Sequence, residues 1–418
     1  MFFLSAVIFT VVAFIVWFTI GDTLKSLLNI GELLVGPPPE LEPGQRPPFF
    51  SADKLWTYQY ILMVAIAFCV FWYYQERSIW YWWSVVGSTF LIISTYFNVQ
   101  ISVWLNNWYG GFYDLIQRAL TEPNTVELSD YYLQLSTAAY VLVPYITFLV
   151  LLDFFTSHYL FRWRTAMNNF YVENWRDVHH IEGASQRVQE DTRIFSSIME
   201  SLGISFVRSV MTLIAFLPLL WTLSQNITEY PIFGEVSGRL VFLAILSAAA
   251  GTVLLALVGY RLPGLEFENQ LREAAYRKEL VYGEDAPENA DPGTVGDLFH
   301  RLRGFYFRYF WHYLYFNVAR YAYLQGSVFI PFFALGPTIV TGVITFGVFQ
   351  QVMNAFNQVE NAFQFLANSW TRIVELMSVY KRLRLFEVSI TREPLNIGMD
   401  VRDGAAYIET GPAETPGE

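Results

Sequence analysis

Apolar residues along this chain gather into runs long enough to cross a bilayer, separated by polar segments rich in Pro, Arg or Glu. A hydrocarbon core about 30 Å thick takes about 20 apolar residues as a helix. Residues 2–20 qualify, with no charge before Asp22. They lack a basic start and a small-x-small cleavage site, so they read as a retained anchor helix and not a signal peptide. Residues 21–54 follow as a linker, whose prolines at 37, 38, 39, 43, 47 and 48 forbid a long helix. Further spans are expected at 55–75, 79–106, 132–160, 204–225, 239–260 and 320–346. The third opens on Trp80, Tyr81, Trp82 and Trp83, a cluster suited to the membrane interface. The seventh carries Pro331 and Pro337 as kink candidates. A more polar last helix runs over 348–387, for about eight spans. The fold class is an all-α membrane protein: an anchor and linker over 1–54, a bundle over 55–387, and a flexible tail over 388–418.

The last helix carries a pattern of its own. Gln350, Asn354, Asn357, Asn361, Gln364, Asn368, Thr371 or Arg372, and Glu375 recur at steps of three and four, which is one helical face. Amides at membrane depth are costly against lipid, so this face should meet protein or water. One reading is a cavity wall that binds peptide backbone, since amides both donate and accept hydrogen bonds. The other is interhelical glue. The number of positions favours the cavity.

Composition narrows the classes. The chain has 418 residues, 54% hydrophobic and only 15% charged, against about 25% charged in an ordinary globular domain. A disordered chain is excluded, and the balance argues against a single soluble domain. The one cysteine, Cys69, excludes an intrachain disulfide framework and a multi-thiolate metal site. His179 and His180 are adjacent and point about 100° apart on a helix, so they make no metal pair. No P-loop motif, nucleophile–base pair or nucleic-acid module is visible, and no cofactor is expected.

Eighteen of the 26 Lys and Arg fall on one side of the expected topology and five on the other. The positive-inside rule then places both termini in the cytoplasm. The outer segments are acidic, which would concentrate cationic solutes or merely keep the loops soluble.

The inner segments 161–203 and 261–319 are too long for turns and read as helical, with Glu268–Arg272 and Glu273–Arg277 at supportive spacing. Helices that project past the membrane in two pairs are the architecture of ABC exporter membrane domains. The stretch after Leu385 is too short for an ATPase domain. Acids near the spans are candidates for carrying protons: Glu200, Asp153, Glu360 and Glu375, the last with Arg372 as a salt-bridge partner three residues away. Glu266, Glu268, Glu273, Glu279 and Glu284 line one projecting helix, where they serve either proton coupling or solvated pairing with nearby bases. Gln189, Glu190 and Asp191 are placed to join the two inner loops or gate the inner opening.

Three strings make a resemblance specific: SHYLFRWRTAMNNFYVENWRDVHHIEGASQRVQEDT (157–192), LPGLEFENQLREAAYRKELVYGED (262–285) and NSWTRIVELMSVYKRLRLFE (368–387). The chain from about 55 to 387 resembles the SbmA/BacA family of bacterial inner-membrane peptide transporters. That resemblance implies a homodimeric, ABC-exporter-like membrane domain without ATPase domains, importing peptides with the proton gradient. It also implies a ladder of coupling glutamates, with Glu200, Glu273 and Glu284 foremost. Two alternatives stand beside it: the membrane subunit of an ABC transporter with a separately encoded ATPase, and a membrane enzyme of lipid metabolism. The latter would need an intramembrane catalytic constellation.

Overall fold

The computed structural model describes residues 2–36, 51–75, 78–179, 184–225, 239–285 and 291–391. The described residues are helical, with no strand among them. In chain order they form α1 (Phe2–Leu28), α2 (Gly31–Val35), α3 (Ala52–Gln75), α4 (Ser88–Thr121), α5 (Leu128–Glu173), α6 (Trp175–Val178), α7 (Ala184–Gln186), α8 (Thr192–Ser224), α9 (Arg239–Gly259), α10 (Leu262–Asp285), α11 (Pro292–Val340), α12 (Phe346–Phe363) and α13 (Phe365–Thr391). Two π-helical turns, Trp82–Gly87 and Arg187–Asp191, lead into α4 and α8.

Seven helical stretches among the described residues are long and apolar enough to cross a membrane. They match the first seven expected spans but run further. The fourth covers Leu128–Glu173, and the sixth continues from the span into the projecting arm as far as Glu284. The expected eighth span is not among the seven. It is two helices, α12 and α13, that meet at Gln364.

The first half of the expected linker is helical as well, because α1 continues to Leu28 and α2 follows. The prolines at 37–48 and the tail beyond 391 lie outside the described residues. Pro331 and Pro337 both sit inside α11, which is assigned as one continuous helix.

Burial separates the helices by role. α5 presents Val143, Ile146, Val150, Leu151 and Phe154 outward, each more than half exposed. Such a face suits hydrocarbon. α1 leans on α3 alone among its larger contacts. Tyr60 donates to the Ala13 carbonyl at 2.6 Å and Trp72 to Ser5 Oγ at 3.1 Å. The Trp17 and Trp56 rings stack with centroids 6.3 Å apart. The Arg162 guanidinium lies 5.0 Å from the Trp83 ring centroid, within cation–π range.

The core lies around α12. Val352, Ala355, Phe356 and Val359 are fully buried and recur at helical spacing. They pack with Phe216 and Leu220 of α8, Leu240 and Ala244 of α9, Val99 of α4 and Leu335 of α11. The start of α12 is held from α4. Asp114 Oδ1 accepts from the Gly347 N–H at 2.8 Å, Gln117 Oε1 from Phe346 N–H at 2.7 Å, and the Thr345 hydroxyl from Val348 N–H at 3.3 Å. A carboxylate at a helix N-terminus satisfies its orphan donors and opposes the positive end of the dipole.

At the start of α11, Asp291 caps in the ordinary way, followed by Pro292. Its carboxyl is held below the usual value by the Thr294 hydroxyl and by the N–H groups of Gly293 and Thr294.

Candidate functional site

The amide stripe divides in the structure. Asn357, Asn361, Asn368 and Arg372 are exposed, while Gln350 is half-buried. Two members are used inside the bundle instead. Asn354 donates to Asn106 Oδ1 of α4 at 2.8 Å. Gln364 is 2% exposed and donates to the Tyr323 hydroxyl of α11 at 2.5 Å. For these two the glue reading holds, because a partner was within reach on a neighbouring helix. For the exposed members no packing role is apparent. On α12, Asn357 and Asn361 lie away from the buried Val352, Phe356 and Val359. Polar side chains there cannot be left against hydrocarbon without cost, so this face meets water or another protein.

Of the candidate carboxylates, Glu200 is half-buried on α8, with Asp153 of α5 as its acidic neighbour. On α10, Glu273 is exposed and accepts from the Tyr306 hydroxyl of α11 at 2.8 Å. The expected pairing with Arg277 is thus displaced by a partner on the next helix. Two helical turns before Glu273, Glu266 Oε2 accepts from the Tyr309 hydroxyl at 2.5 Å. The Glu268–Arg272 pair forms as expected, also at 2.5 Å, and the Arg272 guanidinium sits 4.7 Å from the Phe305 centroid. Glu279 is half-buried and Glu284 exposed. Glu375 forms the expected ion pair with Arg372 at 3.5 Å, across exposed surface, where such pairs contribute little.

The acids are therefore not gathered in one place. α10 packs along α11, whereas α8 packs along α4, α12 and α13. Glu200 stands on the second group and Glu273 and Glu284 on the first.

Glu190 is half-buried and takes a 3.3 Å hydrogen bond from Gln186. Its neighbour Asp191 bonds to the last helix, whereas joining the second inner loop was one of its two expected roles, beside gating. The Asp191 carboxylate is buried and receives two bonds from Arg382 of α13, at 3.0 and 2.8 Å. Arg187 donates to the Arg382 carbonyl at 3.1 Å, and Tyr171 to Glu387 Oε1 at 3.0 Å. Tyr171, Val178, Ala184, Val379, Leu383 and Phe386 form a separate buried cluster around these bonds. The partners are nearly two hundred residues apart, so no local pattern signals them.

One polar cluster within the core was only partly anticipated. Glu360, noted for its acid alone, is 4% exposed and meets Ser247 of α9 and Tyr323 of α11.

The family model described as the SbmA/BacA-like family matches residues 77–391. Among curated proteins, the chain is 27% identical over 339 residues to the inner membrane ABC transporter ATP-binding protein YddA of Escherichia coli (strain K12), covering 75% of this chain and 59% of that one. It is 25% identical over 244 residues to an uncharacterized ABC transporter ATP-binding protein of Synechocystis, covering 56% and 35%. It is 24% identical over 283 residues to the chloroplastic ABC transporter D family member 2 of Arabidopsis thaliana, covering 63% and 38%. The chain spans 59% or less of the length of these relatives.

Proposed function

Because the chain belongs to the SbmA/BacA-like family, we propose that it is a proton-gradient-driven importer of peptides and peptide-like antibiotics. It works as a homodimer in a bacterial inner membrane, with both termini in the cytoplasm. The observation that carries this reading is the exposed polar face of Asn357, Asn361, Asn368 and Arg372, on a helix line whose other face is the core of a membrane bundle. One protomer supplies one such wall. Two copies across a two-fold axis would close a water-filled cavity between them. Amides suit the backbone of peptides of varied sequence. Glu200, Glu273, Glu284, Glu190, Glu279 and Glu375 are the proposed carriers of coupling, and cationic peptides the favoured cargo.

The second reading, a membrane subunit served by a separate ATPase, is favoured by the relatives' names, which are those of ABC transporter ATP-binding proteins. Uptake of a labelled cationic peptide by proteoliposomes separates the two. Accumulation is expected under an imposed pH gradient, inside alkaline, without ATP. Uptake that stays at background until an ATPase subunit and ATP are added would overturn the proton-driven reading.

A further inference from the structure

Where the chain enters α4 it builds an apolar groove that the transport reading does not use. The π-helical turn Trp82–Gly87 and the first residues of α4 supply Trp82, Trp83, Val86, Gly87 and Phe90, and α5 supplies Phe155. None of the six is charged. Together they line an open cavity of about 360 Å³, within the range of about 300–1,000 Å³ that ligand clefts occupy. Its walls are fixed by packing. The Trp83 and Phe155 rings stack with centroids 6.0 Å apart, and Phe90 meets Phe155 edge-on at 4.7 Å. Alongside, Ser88 Oγ and Tyr159 Oη share a hydrogen bond of 2.7 Å. At Gly87 an added Cβ would stand 3.1 Å from the Tyr159 ring, so the absence of a side chain lets α5 approach. π-helical turns are rare and are frequent at functional sites.

A cation stands beside this groove. Phe155, Tyr159 and Arg162 recur at steps of four and three, which is one face of α5. The Arg162 guanidinium lies over the Trp83 ring, 5.0 Å from its centroid. Arg162 is exposed, and among the described residues it makes no ion pair or hydrogen bond. Arg164, two residues on, is used by the protein instead, and its Nη2 donates to the Gln189 carbonyl at 3.3 Å. A guanidinium over a ring engages through its flat face. The N–H donors around its edge stay open, and that planar fork matches the oxygens of a phosphate.

An apolar groove with a cation beside it fits a molecule that is apolar along its length and anionic at its head. A free phosphate would gain nothing from the groove, and a neutral hydrocarbon nothing from Arg162. Tryptophans such as Trp82 and Trp83 belong at the membrane interface, where a lipid head meets its chains. We propose that this groove holds one acyl chain of an anionic phospholipid and that Arg162 bonds the lipid phosphate. A zwitterionic lipid offers the same phosphate but brings its own cation next to Arg162, so the net-anionic lipid is preferred. The site is independent of what the protein transports.

Photolabelling of the full chain in nanodiscs tests the assignment. Trace phosphatidylglycerol or phosphatidylcholine carries a diazirine on one acyl chain, and the labelled peptides are quantified after irradiation. Residues 82–90 should take about fivefold more label from phosphatidylglycerol, the factor one basic residue contributes at an anionic surface. The lipid-facing stretch 143–150 of α5 is the internal control and should show no such preference. In Arg162→Gln the preference at 82–90 should fall to parity while 143–150 is unchanged, which also shows that the variant is inserted and folded. Arg162→Lys should fall between, because it keeps the charge and loses the fork. Equal labelling by the two lipids in the wild type, or a preference that persists in Arg162→Gln, overturns the proposal. Inorganic phosphate should leave the labelling unchanged, and loss of the preference on its addition would mean a free-anion site and overturn the lipid assignment. Peptide uptake by proteoliposomes is a separate readout, so failure of either reading is visible without the other.

Discussion

Removing the Asp191 carboxylate should release the end of the last helix from the turn before α8. The Asp191 side chain is 3% exposed and Arg382 39%. Arg382 places Nε and Nη2 on the two carboxylate oxygens and Nη1 on Ser378 Oγ at 3.0 Å. Arg187 also lies within electrostatic reach of Asp191 and of Arg382. Asp191→Ala therefore deprives two neighbouring guanidinium groups of their shared anion. Breaking a fully buried pair costs about 3–5 kcal/mol. Arg382 is partly exposed and regains water, which reduces the expected cost to about 2–3 kcal/mol. At about 1.4 kcal/mol per tenfold, local opening becomes roughly 30- to 150-fold more frequent. Hydrogen exchange should show this across residues 184–192 and 376–391, with 346–363 unchanged as the internal control. In a double-mutant cycle, Asp191→Ala with Arg382→Ala should cost less than the sum of the two, by about 1–3 kcal/mol. Protection altered less than about threefold, or strict additivity, would refute the latch.

Two further outcomes are expected. If the chain imports peptides as the proposed dimer, Asn361→Leu with Asn368→Leu should lower peptide uptake by about tenfold or more while dimer abundance in native mass measurement is unchanged, since the proposed role is contact at a cavity wall; unaltered uptake at normal expression would point to a packing role. Gly347→Ala places a methyl group against the Gly110 carbonyl and the Asp114 carboxylate, so it should destabilise the α4–α12 contact by about 1–3 kcal/mol, read as a lower melting midpoint in detergent.

The parts of this molecule legible in the sequence are those whose cause is local. The apolar runs at 55–75, 132–160 and 239–260 announce spans because the bilayer itself sets their length. The Glu268–Arg272 and Arg372–Glu375 pairs are legible because helical spacing brings them together. The break at Gln364 is not. No Gly or Pro stands between Val348 and Thr391 to interrupt the helix, and the residue is tied instead to Tyr323, 41 positions earlier. The Asp191–Arg382 latch is hidden for the same reason. The stripe of amides was visible from its period, but the period could not separate Asn354 and Gln364, which bond to α4 and α11, from Asn357 and Asn361, which are exposed.

The difference between seven and eight spans follows from that same division. Length and apolarity select helices whose outer faces tolerate hydrocarbon, as α5 does with Val143, Ile146, Val150 and Phe154. α12 is built the other way round. Its apolar side chains, Val352, Phe356 and Val359, point into the bundle, and its amides Asn357 and Asn361 point out. In a soluble protein this would be an ordinary surface helix with its polar face in water. In a membrane bundle the same arrangement has no lipid to face, because unsatisfied amides in hydrocarbon are penalised at every position. A helix of this kind is stable within a membrane protein only if water or a second protein covers its polar side. The composition that excludes α12 from a count of lipid-facing spans is therefore the property that fits it to line a cavity.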